Sequence, residues 1–269
     1  MAETVTEKPK AQRDDALTII AISVIAVILS TMLDEGLGHA AVALLAGAKS
    51  GTLSTVAWSS VYDSRLVAAG GTIVNLIAAS LFWLALRGAR DASAQTRFFL
   101  LIACAFNLFA GTGYFFFSGV SGFGDWQQVI AGLHGYWLWR VLLIAVGVAS
   151  YYGAMRLVGG SLVRYVGVPT SDGARFRRLT WVPYFTAVAT AVIAGLRNPL
   201  GLALVFESAL AASAGGQCAL LFLVYYVPRG TAPRFGGQPV VRSYPWIMVS
   251  SVLALIFVLV LGPGVPLHR

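Results

Sequence analysis

Near the end of the first long apolar segment stand three residues able to do acid–base or metal chemistry: Asp34, Glu35 and His39. Glu35 and His39 are four apart, so on a helix they share a face, and a carboxylate and an imidazole can converge there on one ion. On an α-helix Asp34 points about 100° away, which is expected to keep it off that face. Other polar groups lie within or beside apolar runs: Asn75, Asn107, Asp125 in GFGDW, and Glu207. An ionisable side chain near a bilayer centre costs roughly 2.5–3.5 kcal/mol on insertion scales, so each needs a reason. Asn75, after Gly70 and Gly71, reads as hydrogen-bonding glue between closely packed helices. For Asp34, Glu35 and His39 the plain alternative is an interfacial helix end whose acids face water.

The elements that must position these groups follow from composition. The chain has 269 residues, of which 58% are hydrophobic and 11% charged, and its mean hydropathy is +0.77. Soluble domains carry roughly 25% charged residues, so a soluble globular protein is excluded. The long apolar runs exclude a disordered chain, and two cysteines without metal spacing exclude a disulfide-stapled module. The fold class expected is all-α, a polytopic membrane helix bundle of about seven transmembrane helices. Residues 1–15 read as a disordered tail and 16–269 as a single transmembrane domain. Spans are expected at 17–33, 66–86, 98–118, 136–158, 181–196, 199–227 and 244–262. A single helix over 16–48 would be about 50 Å long against a core of roughly 30 Å, so it must tilt, or break near Gly36 and Gly38.

With the N-terminus cytoplasmic, fourteen Lys and Arg residues fall in inner segments and five in outer ones, the bias that orients membrane helices. The formal charge of +8 is explained by these flanks, whose partners are membrane lipids rather than nucleic acid. In this topology Asp34–His39, Asp125 and Glu207 all fall toward the outer half. Gly119-Val120-Ser121-Gly122 fits GxSG but reads as a turn, and His134 as part of an interfacial aromatic belt.

DEGLGHAAVALLAGAK, beginning at Asp34, resembles the HExxH helix of the site-2 protease family of intramembrane zinc metallopeptidases, typically written HELGHALAALLLGAK. A short polar, strand-like stretch from Ser50 to Ser64 follows. Then AAGGTIVNLIAA is similar to the family's AGPxxNLLLA helix, and NLFAGTGYFFFSG to the start of its NLLPxxPLDG segment. The likeness covers about residues 17–125, with further helices at 136–262. In register, the family's first metal-binding His falls on Glu35, its catalytic Glu on Gly36, and its second His on His39. The Asp of LDG falls on Phe115, and Asp125 is the nearest acid. The resemblance thus implies zinc held by Glu35, His39 and Asp125, with the general base missing and proteolysis altered or lost. It also implies a transmembrane protein as substrate or partner. The competing expectation is a non-enzymatic transporter or assembly partner with a polar proton or cation site.

Overall fold

The computed structural model describes residues 13–198 and 213–269, and these are mostly helical. In chain order they form α1 (Ala16–Ala46), β1 (Ser50–Leu53), β2 (Trp58–Ser59), α2 (Arg65–Gly88), α3 (Ala94–Ser121) and α4 (Asp125–Ile130). There follow α5 (Tyr136–Val166), α6 (Gly173–Gly195), the irregular α7 (Ser213–Tyr226), α8 (Tyr244–Leu261) and β3 (Val265–His268). Among the described residues five helices, α1, α2, α3, α5 and α8, are long and apolar enough to cross a membrane.

Local chemistry sets where these helices begin. Asp15, Ser64, Ser93 and Asp172 each accept a hydrogen bond from the backbone N–H three residues on, which satisfies a donor that the first turn leaves free. α3 ends where Gly122 takes a left-handed φ of 67°, so the GxSG tetrapeptide is a helix terminus. The Ser121 hydroxyl donates back to Phe117 O at 2.7 Å.

The core is built around α3, whose Phe98, Phe106 and Phe109 are fully buried among Ile19, Ile22, Val158 and Leu179 from α1, α5 and α6. α8 lies at the rim, with only Ser250 and Phe257 buried along its length. Large apolar side chains face outward instead: Leu66, Ile73, Ile77, Leu81 and Leu84 form one stripe along α2. In water such a stripe is a liability, whereas against lipid it is the ordinary outer surface of a span.

The helix over 16–48, expected to tilt or to break near Gly36 and Gly38, does not break: it continues to Ala46 through a π-helical stretch, Met32–Ala41. Other expectations are corrected. Of the tail expected to be disordered, the described end is packed. Asp14 is buried, its carboxylate paired with Arg175 at 2.8 Å and accepting Val240 N–H at 2.7 Å. The helix expected at 181–196 starts earlier, at Gly173, because Asp172 caps it there and Arg175 and Arg178 are anchored by Asp14. Its far end reaches the end of α8, where Ala194 O and Arg197 lie against Gly262. Finally, the fold is not wholly α. The strand-like stretch contributes β1 and β2, and β3 completes an antiparallel sheet of order β2-β1-β3, with Ser50 opposite His268 and Thr52 opposite Ser59.

Candidate functional site

The π-helical stretch governs the first group of side chains. Hydrogen bonding to the fifth residue widens the turn, so residues five apart come onto one face, and such insertions are frequent at functional sites. Asp34 therefore does not stand off: its Oδ1 is 3.9 Å from His39 Nε2. Glu35 stays near the same face, acting electrostatically on both, but its Oε2 accepts Trp58 N–H at 2.7 Å and so braces the strand region.

His39 is oriented by the start of α2. A carbonyl can only accept, so Nδ1 carries the proton that it donates to Val67 O, at 2.8 Å. Nε2 is then the atom presented to the carboxylates. The two helices approach backbone to backbone here because Gly38, Gly70 and Gly71 have no side chain. A Cβ at Gly38 would lie on the Gly71 backbone, one at Gly70 on the Gly38 carbonyl, and one at Gly71 on the Asp34 carboxylate and the His39 ring. Small residues at such crossings are how membrane helices pack closely.

α4 delivers the third carboxylate. Asp125 is its first residue, and its Oδ2 is 3.4 Å from His39 Nε2. Two side chains hold α4 in place: Trp126 donates to Thr72 Oγ1 at 2.9 Å and stacks on Phe115 at 4.6 Å, while Arg65 donates to Ala131 O at 2.8 Å. Phe115, the position matched to the family's acidic ligand, is thus a packing surface for the neighbour of Asp125. Asn75 stands beside Asp34, with its Oδ1 lacking a partner, and Tyr114 lies within electrostatic reach of all three acids. The exposed fractions are 10% for His39, 21% for Asp34 and 23% for Asp125, so the cluster is shielded but not sealed.

The cluster therefore gathers Asp34, Glu35, His39, Asn75 and Asp125. Asn107 is not part of it, since its amide donates to Ala103 O within α3, and Glu207 lies outside the described residues. Sequence reasoning missed Tyr114, Val67 O and the Trp58 N–H; only their place beside the matched motifs hinted at them. Among the described residues no lysine or arginine belongs to the charged groups acting on Asp34, Glu35 and His39. Three carboxylates thus face one imidazole. Among the described residues no three of His, Cys, Asp and Glu are set around one point as metal ligands, and Glu35 is half committed to Trp58. What the arrangement can do chemically is hold a proton between Nε2 and a carboxylate oxygen and pass it on. Gly36, at the position of the family's general base, has open space beyond it and offers no group to take a proton. In comparisons with known proteins, no family model, curated protein or solved structure matches this chain.

Proposed function

We propose that this is a seven-span integral membrane protein, N-terminus cytoplasmic, whose Asp34–His39–Asp125 cluster binds and exchanges a proton, as in a small transporter, and that it is not a peptidase of the HExxH type. The observation that carries this reading is the imidazole itself. Its Nδ1 is fixed on Val67 O and its Nε2 stands between two carboxylates, with which, among the described residues, no lysine or arginine forms an ion pair. Charge in a place of low dielectric must be offset, and a proton shared between the imidazole and a carboxylate does so.

The seven-span count is supported by α6, whose first turn is tied to Asp14 through Arg175 and whose far end lies against Gly262. It is supported too by β3 pairing with β1 at the opposite end of the bundle from Asp14, which needs an odd number of crossings. A second reading has its own support: two of the three regions that resemble the site-2 protease family meet at His39, and the third carries Tyr114, within electrostatic reach of Asp34, Glu35 and Asp125. On that reading Glu35, His39 and Asp125 rearrange around zinc, which would supply a Lewis acid.

Infrared difference spectra of the purified protein between about pH 8 and pH 5 test the proposal. A carboxylic acid band is expected to appear on acidification, and to shift or vanish in Asp125→Asn and His39→Gln. One tightly bound zinc per chain, with chelator-sensitive cleavage of a transmembrane substrate, would overturn it in favour of the second reading.

A further inference from the structure

At the end of the bundle that carries Asp14, far from the acidic cluster, a cavity of about 570 Å³ opens between the α2–α3 loop and the segment before α8. Arg90, Arg97 and Arg234 line it together with Ser93 and a single acid, Asp91. Its deepest charge is Arg97, which is only 4% exposed. This guanidinium lies 5.6 Å over the Phe235 ring and makes one long hydrogen bond, 3.4 Å, to Gly236 O. Among the described residues its Nε has no partner. Among the described residues none of the three arginines is in an ion pair. Elsewhere at this end the chain does pair its buried charge, since Arg175 and Asp14 satisfy each other. Arg97 is thus a buried cation with an idle donor, facing a cavity whose other charges are mostly of its own sign.

The same wall holds the start of α3, capped by Ser93. The N-terminal end of a long helix adds partial positive charge and suits a negative group. The cavity is within the size range of small-molecule sites, and planar guanidinium forks match tetrahedral oxyanions. We propose that this cavity binds a phosphate group, carried by an anionic phospholipid headgroup or by free inorganic phosphate. Its place at the first turn of a span, where basic pockets meet headgroups, is where either source would be met.

Thermal unfolding of the full chain tests this, in detergent with inorganic phosphate and in nanodiscs of phosphatidylglycerol against phosphatidylcholine. The wild type is expected to be stabilised by one of these phosphate sources. The midpoint concentration should rise about tenfold or more in Arg97→Gln and in Arg234→Gln, and stay unchanged in the charge-matched Arg177→Gln at the same end. Arg234 is exposed, so its variant reports even if loss of Arg97 prevents folding. Stabilisation by phosphate in detergent identifies the free anion, and stabilisation by phosphatidylglycerol alone identifies the lipid. No stabilisation by either, or equal stabilisation of all variants, overturns the proposal.

Discussion

The Asp34 carboxylate and the His39 imidazole, five residues apart on one helix, stand on the same face with Oδ1 3.9 Å from Nε2, because the stretch between them is π-helical. The imidazole is then the hub of three acids rather than one end of a pair. Taking it away leaves the acids facing each other, whereas neutralising one acid removes repulsion. His39→Ala is expected to cost about 3 kcal/mol of stability, the low end for a broken buried pair because the acids are partly exposed. Asp34→Asn and Asp125→Asn should each cost less than His39→Ala, and similarly to one another. Denaturation in mild detergent measures all three; an Asp34→Asn effect far below that of Asp125→Asn would mean that Asp34 stands off the face after all.

Gly71→Ala puts a methyl group where the Asp34 carboxylate and the His39 ring already are. Overpacking of this kind typically costs about 1–3 kcal/mol. Combined with His39→Ala the loss should be less than additive, since one of the collisions is gone. Gly36→Ala, which meets nothing within reach, is the neutral control. A double-mutant cycle on stability reads the coupling.

How far the sequence reveals this depends on the residue. Long apolar runs announced α1, α2, α3, α5 and α8, because span length and hydropathy are properties of composition. The start of α6 was hidden, since Arg175, Arg177 and Arg178 dilute its first turns and their anchor, Asp14, is remote in sequence. Of the cluster, Glu35, His39 and Asp125 were legible from spacing and motif order. Asp34 was misplaced, because its direction was taken from α-helical geometry and nothing in MLDEGLGHAA signals the wider turn. Tyr114 looked like one aromatic among many.

Asp14 is held by Arg175 through two contacts, at 2.8 and 3.2 Å, and both residues also bind the backbone at 237–240. Asp14→Ala strands a guanidinium and a backbone N–H, and is expected to cost about 3 kcal/mol. Arg175→Lys should keep only part of the interaction, since an ammonium cannot form the fork. Chemical denaturation gives both values.

Acid should loosen the same end. Burial works against the charged form of Asp15, but hydrogen bonds from Thr18 and from Arg242 outweigh it, so its carboxyl is held below the usual carboxylate range. A depressed folded value means a contribution fully present above the unfolded value of about 3.8 and lost as pH falls through the folded one. Melting temperature followed from neutral to strongly acidic pH should drop less steeply in Asp15→Asn over that lowest window.

Ser121 and Ser171 are both exposed, at opposite ends of the bundle. Introduced cysteines there should label from outside and from inside respectively. The reverse pattern would invert the orientation inferred from Lys and Arg.

The pairing of β3 with β1 ties a segment that follows α8 to one that follows α1. While the helices are inserted in turn, β1 has β2 on one side and an open edge on the other, a template for any passing extended segment. Its rightful partner comes only after α8 in the chain. The rim around β1, beside the strand that Glu35 braces through Trp58, therefore acquires its final form last. Shortening the chain before Val265 should leave the spans in place but make this rim prone to pairing between molecules.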